Sequence, residues 1–328
     1  MSTEVTNFED IQDAARALDG MAVKTPLLRN RFLDEYTGRS VFLKPEQLQV
    51  SGSFKFRGAY NRLSRLTDDE KARGVLAFSS GNHAQGVARA AQLLGINATI
   101  VMPEDAPTLK LEATKGYGAK VVLYDRYNED REEVAYRVAG DSGVTVVPPY
   151  NDPFIMAGQG TSALEVVEEL QALDVTPDQA LVCCGGGGLA SGSFTVYKHF
   201  FPAMEAFAVE PEEFDDVKRS LESGAIESVD FGARSICDAL LTPSPGSLTF
   251  PVLQDAGAKG ITISDDDARR AVAFASNTLK VSAEPGGAAA LAALLAGKAD
   301  TKDRVTVCII SGGNIDPNMM QQCLREFS

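Results

Sequence analysis

Short runs of apolar and β-branched residues recur along this chain, and each run ends in turn residues. Eight such runs predict strands, at residues 41–43, 75–78, 98–102, 120–124, 144–147, 180–183, 206–209 and 305–310. Amphipathic, Ala- and Glu-rich stretches between them predict helices, among them 84–94, 130–140, 160–173, 265–279 and 287–295. Continuous apolar strands that alternate with helices are typical of parallel sheets buried between helical layers. The pattern therefore predicts an α/β fold.

Three glycine- or serine-rich segments directly follow strands of this pattern. They are Ser79-Ser80-Gly81-Asn82-His83, Gly185-Gly186-Gly187-Gly188 and Ser311-Gly312-Gly313-Asn314. In parallel α/β folds, ligands bind beyond the carboxyl ends of the strands. We therefore expect the three segments to lie together in one ligand-binding site.

A fourth segment places Lys55 between Phe54 and Phe56, after a Ser-Gly-Ser turn and before a helical run. A lysine in apolar surroundings loses proton affinity, because desolvation disfavours its charged form. The neutral amine is the form that makes a Schiff base with a carbonyl carbon. Taken alone, the segment also fits a lysine whose stem packs on apolar residues while its charge stays in water.

These four segments together resemble the signature of the fold type II pyridoxal-phosphate enzymes. The branch they resemble contains threonine and serine dehydratases, hydroxyaspartate dehydratases and serine racemases. The resemblance extends from about Thr25 to the C-terminus with the motif order intact. It implies a two-domain fold similar to the tryptophan synthase β subunit, with parallel sheets covered by helices. The larger, discontinuous domain would take residues 1–65 and 149–328, and the smaller domain would take residues 66–148.

The resemblance also implies roles for individual residues. Lys55 would carry pyridoxal 5'-phosphate (PLP) as a Schiff base, and its displaced amine would take the Cα proton of the substrate. The other cofactor-binding residues that it implies are Phe54, Asn82, Gly185, Gly186, Gly187, Gly188, Leu189, Glu284 and Ser311, with Asn82 in contact with the ring oxygen of the cofactor. The substrate-binding residues that it implies are Ser79, Ser80, Gly81, Asn82, His83 and Arg131.

The run of four glycines at 185–188 has the chemistry of a phosphate site. Glycines let backbone N–H groups crowd around an anion, and the helix start that follows adds a favourable dipole. No Gly-Lys-Ser/Thr follows the run, so it does not match the P-loop of nucleotide-binding proteins. The dinucleotide fingerprint is disfavoured but stays open, because Glu210 lies near the distance at which that motif has its acidic residue.

Ser311 would be the partner of the pyridine nitrogen of the cofactor. A hydroxyl does not hold that nitrogen protonated as a carboxylate would, so the ring withdraws electrons less strongly. This property suits β-elimination, in which the departing hydroxide accepts the electrons, and it disfavours transamination. For Ser311 by itself, the alternative is a plain turn after a strand.

The motifs indicate a PLP-dependent ammonia-lyase, or dehydratase. It would convert a small β-hydroxy amino acid, namely L-threonine, L-serine or 3-hydroxyaspartate, to a keto acid and ammonia, and the sequence does not rank the three. Ser80 favours an alternative, a serine or aspartate racemase with side dehydratase activity, since its hydroxyl could deliver a proton to the face opposite Lys55. Two further alternatives are a non-catalytic ligand-binding protein and a β-synthase that uses a second substrate.

Arg131 and His83 bear on which substrate is preferred. In the racemase branch the matching arginine lies near bound dicarboxylates, and the guanidinium fork suits a second carboxylate. Together with His83, it would select 3-hydroxyaspartate over threonine. The alternative is an exposed helix arginine that pairs with neighbouring glutamates.

An acidic loop after the run 206–209 predicts a metal site. Glu210, Asp216 and the backbone carbonyl of Phe214 match the divalent-cation site of serine racemases and related dehydratases. Hard oxygen ligands of this kind suit Mg²⁺ or Ca²⁺, with Mn²⁺ as a further candidate. A merely solvated acidic loop is the alternative.

Composition limits the partners of this 328-residue chain. Its net charge of -14 and its lack of a Lys/Arg cluster disfavour a nucleic-acid binder. No apolar run is long enough to span a membrane. Five cysteines without regular spacing fit a reducing compartment, and we expect a cytoplasmic protein. The remaining partners expected are a small amino-acid substrate and, from the family, a second copy in a homodimer.

Overall fold

The computed structural model of this chain describes residues 6–79, 81–230 and 232–327. Its strands are β1 (Leu28–Arg29), β2 (Val41–Pro45), β3 (Val75–Phe78), β4 (Ala98–Pro103), β5 (Lys120–Tyr124), β6 (Thr145–Val146), β7 (Gln179–Cys183), β8 (Glu205–Pro211), β9 (Lys259–Ile263) and β10 (Thr306–Ile310). Its α-helices are α1 (Phe8–Leu18), α2 (Arg31–Thr37), α3 (Lys55–Ser64), α4 (Asp68–Arg73), α5 (Asn82–Leu94), α6 (Thr108–Gly116), α7 (Arg131–Ala139), α8 (Pro153–Ala172), α9 (Gly188–Phe200), α10 (Asp216–Ser223), α11 (Thr249–Asp255), α12 (Asp265–Phe274), α13 (Ala289–Leu295) and α14 (Pro317–Glu326). Each predicted strand is confirmed. Strands β1 and β9 are present as well, although the pattern of apolar residues does not predict them.

The strands form two sheets. The larger sheet has the order β1-β2-β10-β7-β8-β9, and the smaller has the order β5-β4-β3-β6. Neighbouring strands pair in parallel, with the exception of the antiparallel pair β1 and β2. The predicted parallel α/β fold is thus confirmed. The smaller sheet spans Val75 to Val146, inside the range 66–148 expected for the smaller domain.

The larger sheet is buried on both faces, which explains why its strands are continuously apolar. In β10, Cys308 and Ile310 face a core shared with α12 and α13. Val307 and Ile309 point the other way, into a core shared with α8 and α9. Because successive side chains of a strand alternate between the two faces, a sheet covered on both sides needs an apolar residue at every position.

Helix α3 lies where the smaller sheet meets the rest of the fold. Phe56 of α3 and Ile155 of α8 belong to the same core as the strands β3 and β4, although both residues lie outside 66–148. Glycines let α3 and α8 touch: a Cβ on Gly58 would lie 2.7 Å from the Ile155 carbonyl oxygen. The exact domain boundaries stay a prediction, but the helix that begins with Lys55 is packed from both sides.

The predicted helices are present with shifted ends. Helix α8 begins at Pro153 rather than 160, because the Asp152 side chain caps it by accepting the N–H groups of Phe154 and Ile155. Proline at the first helical position strengthens that start. Helix α12 ends at Phe274, and the next five residues form a π-helix.

A cluster of buried charges fixes α3 to its neighbours. Arg57 Nε lies 2.7 Å from Glu46 Oε2, and its Nη1 lies 2.6 Å from Glu165 Oε1. Lys44 Nζ lies 2.6 Å from the other oxygen of Glu165. Arg57, Lys44 and Glu46 are at most 1% exposed, so each charge depends on its partner for compensation. The cluster ties strand β2, helix α8 and helix α3 together, two residues from Lys55.

Replacing Arg57 with methionine should destabilise the protein strongly. The variant keeps most of the side-chain volume but leaves Glu46 buried without its cation, which costs about 3–5 kcal/mol. Urea unfolding followed by circular dichroism measures the change. The control is Arg16→Met, because the Arg16 side chain is 71% exposed in its pair with Asp13 and should contribute nothing measurable. Equal unfolding midpoints for the two variants would contradict this description of the cluster.

Candidate active site

The carboxyl ends of β3, β7 and β10 and the first turn of α3 surround one cleft. Its walls contain most of the residues predicted for the site: Phe54, Lys55, Ser79, Gly81, Asn82, His83, Arg131, Gly185, Gly186, Gly187, Gly188, Leu189 and Ser311. Glu284 contacts Asn82 instead of forming part of the wall. Ser80 lies outside the described residues. The three motifs that follow strands therefore converge as expected.

Backbone contacts attach the lysine segment to the end of β10. The N–H of Phe54 donates to the Ser311 carbonyl at 3.1 Å, and Ser53 pairs with Gly312 in an isolated antiparallel bridge. Gly52 has a φ of 73° and needs to be glycine, since a Cβ there would lie 2.4 Å from Asn314 Oδ1. Lys55 and Ser311 are consequently held in a fixed relation.

The amine of Lys55 loses its proton more readily than an ordinary lysine does. Its Nζ donates to the Pro149 carbonyl at 2.8 Å and lies 5.1 Å from the centre of the Phe54 ring. Burial of the amine, together with the positive charge of Arg131, lowers the pKa of Lys55 to about 8. The Lys55 side chain forms part of the cleft wall, and its amine is buried. Phe56 does not contribute, because it points into the core of the smaller sheet.

The glycine run forms the start of helix α9. Gly187 adopts a left-handed conformation with φ 94° immediately before the helix. The N–H groups of the first helical turn have no acceptor within the helix, so they are available to an anion. Two neighbouring side chains fix the glycine run in place. Thr249 Oγ1 donates to the Gly186 carbonyl at 2.6 Å, and Tyr150 packs against Gly186 and Gly188.

Asn82 belongs to a chain of polar contacts that crosses the cleft wall. Its Nδ2 donates to Glu284 Oε1, and its Oδ1 accepts from Asn314 Nδ2 at 2.9 Å. Glu284 Oε2 in turn accepts from Lys110 Nζ at 2.9 Å. Sequence reasoning overlooks Lys110, since nothing in its local sequence distinguishes it from an ordinary helix lysine.

His83 is buried, and its ring is neutral. Nε2 lies 3.0 Å from the Val147 carbonyl oxygen, which can only accept, so the proton is on Nε2. Burial and the charge of Lys55 lower the pKa of His83 to about 3. Its Nδ1 is buried and has no partner among the described residues. The ring therefore offers a ligand an acceptor nitrogen, not a positive charge.

Arg131 begins helix α7 and faces the cleft. Its guanidinium carbon lies 5.7 Å from the centre of the Phe78 ring, and the side chain is half-buried. Within the ranges that the structure describes, no carboxylate forms an ion pair with it. The alternative of an exposed arginine paired with nearby glutamates therefore does not describe this residue. Its charge is available to a ligand in the cleft.

Several further residues of the cleft are absent from the sequence-based site. They are Phe78, Pro149, Tyr150, Cys183, Asp238, Ala239, Leu240, Leu241 and Thr242. Most come from the loop after β6 and from residues 238–242, where no catalytic residue type stands in a distinctive pattern. Their place in the cleft depends on the tertiary fold alone.

The residues predicted to bind metal lie at the end of β8 and in the segment that follows it, and they are not among the residues of the cleft wall. Both oxygens of Glu210 accept N–H groups at the start of α10, from Val217 at 3.0 Å and Lys218 at 2.8 Å. This buried position also removes the dinucleotide alternative, which needs an acidic residue that a ribose can reach. Asp216 is 2% exposed, and its Oδ2 has no partner among the described residues.

Two buried carboxylates influence each other at this position. Burial raises the pKa of Asp216 to about 7, and burial together with Asp216 raises the pKa of Glu210 well above its usual range. In the part of the chain that the structure describes, no group of three or more His, Cys, Asp or Glu side chains is placed to hold a metal. A site here would thus consist of two carboxylates and the carbonyl of Phe214.

Comparison with known proteins places the chain in a family. The model of the family described as "Pyridoxal-phosphate dependent enzyme" matches residues 19–312. The chain belongs to this family. It is 41% identical over 309 residues to the serine racemase of Schizosaccharomyces pombe, covering 94% of each chain. It is 40% identical over 312 residues to the L-threo-3-hydroxyaspartate ammonia-lyase of Saccharomyces cerevisiae, covering 95% of this chain and 94% of the relative.

A solved structure agrees with these relatives. The crystal structure of a threonine deaminase from T.th. matches with a TM-score of 0.88 and 40% identity, and the match covers 94% of this chain and 99% of that one. The predicted family, fold class and pyridoxal-phosphate cofactor are therefore confirmed, and the metal stays a prediction. As a member of a family of PLP-dependent enzymes, the protein is an enzyme, and the non-catalytic alternative is not supported.

The cleft has the groups that PLP requires. The buried amine of Lys55 suits a bond to the cofactor aldehyde, and the start of α9 suits its phosphate. The buried Nδ1 of His83 has no hydrogen-bond partner among the described residues, so it can accept a hydrogen bond from a ligand. These residues fit the family cofactor, and their individual roles are taken up below.

A single methyl group in the glycine run should weaken cofactor binding. A Cβ on Gly186 would lie 2.4 Å from the Tyr150 ring, so Gly186→Ala forces the run or the ring to move. Such overpacking costs about 1–3 kcal/mol, or roughly fivefold to 150-fold in the dissociation constant for PLP. Absorbance titration of the apo-protein measures it. Gly116→Ala is the control, because a Cβ there meets nothing within 4 Å, and PLP affinity should not change.

Proposed function

We propose that this enzyme is an ammonia-lyase that dehydrates a small β-hydroxy amino acid to a keto acid and ammonia. One observation carries the proposal: a buried lysine amine with a pKa of about 8 faces the same cleft as an anion-binding helix start and an unpaired arginine. The relatives named above support it, since an ammonia-lyase and a threonine deaminase share about 40% of their residues with this chain.

In the proposed reaction, Lys55 removes the proton from the Cα of the substrate. When bound, PLP supplies a conjugated system that stabilises the electron pair left on that carbon. The glycine run would hold the phosphate, and the Ser311 hydroxyl would hold the ring nitrogen without supplying a carboxylate charge. As the bond from Cβ to the hydroxyl breaks, the departing hydroxide would take a proton from Ser80 or the cofactor phosphate and leave as water, and the proton held on Lys55 would restore that donor. The enamine released in solution hydrolyses to the keto acid and ammonia.

We further propose that the preferred substrate carries a second carboxylate, as 3-hydroxyaspartate does. Arg131 supports this choice, because it lies at the cleft with no described carboxylate to neutralise it. A guanidinium pairs with a carboxylate through two parallel hydrogen bonds. The neutral His83 ring suits a different part of the substrate, since its acceptor nitrogen matches the hydrogen of a hydroxyl group.

A serine or aspartate racemase is the second candidate. The similarity to the serine racemase of Schizosaccharomyces pombe favours it as much as the other relatives favour a lyase. A racemase needs a proton donor on the face opposite Lys55, and Ser80 is our candidate. Ser80→Ala should remove racemisation and spare elimination if both reactions occur.

A substrate panel tests the function. Purified holoenzyme is given L-threonine, L-serine, L-threo-3-hydroxyaspartate and L-aspartate, and keto acid, ammonia and D-isomer are measured. We expect keto acid and ammonia in equal amounts, with the highest kcat/KM for 3-hydroxyaspartate. D-isomer as the main product from serine or aspartate would establish the racemase instead. No product from any of the four would contradict both.

We also propose that Glu210, Asp216 and the Phe214 carbonyl hold a divalent cation, Mg²⁺ or, in its place, Ca²⁺ or Mn²⁺. The unpartnered oxygen of Asp216 supports this, and no described N–H donates to the carbonyl oxygen of Phe214. Magnesium should raise the melting temperature, and a chelator should lower it. Asp216→Asn should abolish both effects, whereas Asp255→Asn, at an exposed carboxylate, should leave them unchanged.

The location, the oligomeric state, the domain boundaries and the absence of other partners remain proposals. We propose that the protein is a cytoplasmic homodimer with its chain divided at 66–148, and that it binds neither nucleic acid nor membranes. The five cysteines, all buried and without disulfides, support a reducing compartment. No helix in the described ranges has the length and apolar character needed to cross a bilayer. Size-exclusion chromatography with light scattering tests the dimer.

A further inference from the structure

Lys110 of helix α6 is a buried cation next to the segment that carries Asn82. It is 3% exposed, and its Nζ donates to Glu284 Oε2 at 2.9 Å and to Asp238 Oδ2 at 3.2 Å. Burial opposes the charged form, but attraction to Glu284 and Asp238 outweighs it and raises the pKa of Lys110 above its usual value. Lys110 therefore brings a permanent positive charge into the interior.

Glu284 links Lys110 to Asn82, because it accepts a hydrogen bond from each of them. An ionised carboxylate can only accept hydrogen bonds, so the amide nitrogen of Asn82 must face Glu284. The amide oxygen then faces Asn314, whose Nδ2 donates to it at 2.9 Å. The Asn82 nitrogen carries a second N–H, for which the described residues supply no acceptor. The amide is thus fixed with one donor left for a ligand.

Two glycines allow these contacts to form. A Cβ on Gly312 would lie 2.5 Å from Glu284 Oε1 and 3.1 Å from Asn82 Nδ2. A Cβ on Gly81 would lie 2.7 Å from Lys110 Cδ. The stem of Lys110 therefore packs on the backbone next to Asn82, and Glu284 reaches Asn82 across the bare backbone of Gly312.

We propose that Lys110 is a positioning residue for the cofactor. By holding the Glu284 carboxylate in place through the hydrogen bond to Oε2, it orients the Asn82 amide so that an N–H is presented to the ring oxygen of PLP. The inference rests on the proposed function, because the contact between Asn82 and the ring oxygen comes from the family resemblance. It extends that function to a residue in helix α6 that touches neither cofactor nor substrate.

Removing the positive charge should release the amide. In Lys110→Met, Glu284 Oε2 loses the hydrogen bond from Lys110, and Arg126, whose Nη1 lies 3.9 Å from Asp238 Oδ1, remains beside Asp238. The Glu284 carboxylate can then rotate, so the Asn82 amide loses its fixed acceptor. With the amide no longer fixed, the ring oxygen of PLP loses a steady donor.

The test measures the PLP dissociation constant and the visible absorption spectrum of the loaded protein. Lys110→Met should weaken PLP binding roughly tenfold, the value of one hydrogen bond to a charged group, and change the visible spectrum. Lys110→Arg, which keeps the charge, should stay close to wild type. Glu284→Gln should give the same spectral change as Lys110→Met, and the double variant should be no weaker than Glu284→Gln alone.

Lys44→Met is the matched control. Lys44 is also fully buried and also pairs with a carboxylate, Glu165. Its replacement should lower the unfolding midpoint but leave the PLP affinity and spectrum unchanged. A purely structural role for Lys110 would make the two variants behave alike, and that result would overturn the inference. Additive effects of Lys110→Met and Glu284→Gln, or a wild-type spectrum in both, would overturn it as well.

Borohydride labelling separates this inference from the function on which it rests. If Lys55 is labelled in wild type and in Lys110→Met, and the spectra are identical, only the role of Lys110 fails. If Lys55 is not labelled even in wild type, the proposed function fails and the inference fails with it. Should Lys110→Met not fold, Glu284→Gln, which keeps size and shape, tests the same link through the same two readouts.

Discussion

The Lys55→Ala variant is expected to lose elimination activity by about 10⁴-fold or more, because the same amine anchors the cofactor and removes the Cα proton. Two described side chains at the cleft wall are poor substitutes: the Arg131 guanidinium has no acceptor site for a proton, and His83, with a pKa of about 3, is a weak base. PLP should still bind weakly through the glycine run, without the absorption band of the Schiff base. Release of keto acid from 3-hydroxyaspartate or serine measures the loss.

Two controls keep this result specific. Lys24→Ala removes a lysine that is 59% exposed in its pair with Glu168, and its activity should equal that of wild type. A small primary amine added to Lys55→Ala should restore part of the activity, since it can replace the missing base. A Lys55→Ala enzyme within tenfold of wild type would show that another group takes the proton.

The Arg131→Met variant is expected to lose discrimination between substrates. If the guanidinium pairs with the second carboxylate of 3-hydroxyaspartate, its removal costs about 2–5 kcal/mol, which is at least roughly thirtyfold in kcat/KM. Serine has no second carboxylate, so its kcat/KM should change much less. A smaller effect shared by both substrates is also expected, because loss of the Arg131 charge moves the pKa of Lys55 upward from about 8.

Arg137→Met is the matched control on the same helix. Arg137 is 67% exposed and pairs with Glu129, so its loss should change neither substrate. If Arg131→Met lowers kcat/KM equally for 3-hydroxyaspartate and serine, Arg131 acts only by lowering the pKa of Lys55. The preferred substrate would then need another explanation.

The fold was largely predictable because burial on both faces leaves a strong signal. Strands β7 and β10 are apolar at successive positions, so they are visible as runs. Strand β9 begins with Lys259 and Gly260, and β1 has only two residues, so neither gives such a run. The early start of α8 depends on the Asp152 cap. Prolines on either side of Asp152 also fit a turn, so the cap is difficult to recognise in the sequence.

The site was predictable where chemistry is local in sequence, and not where it is created by folding. The glycine run and Lys55 each stand in a distinctive segment. The contact of Lys110 with Glu284 joins residues 174 positions apart, and the turn of His83 toward the Val147 carbonyl depends on how α5 meets the end of β6. Periodicity and spacing contain no information about either contact.

Borohydride reduction of the holoenzyme followed by peptide mass mapping tests directly whether Lys55 carries the cofactor. We expect the visible absorption band to disappear and one peptide to gain the mass of reduced PLP on Lys55. Absence of any adduct, or an adduct on a different lysine such as Lys110, would contradict the claim that the buried amine at the start of α3 carries the cofactor.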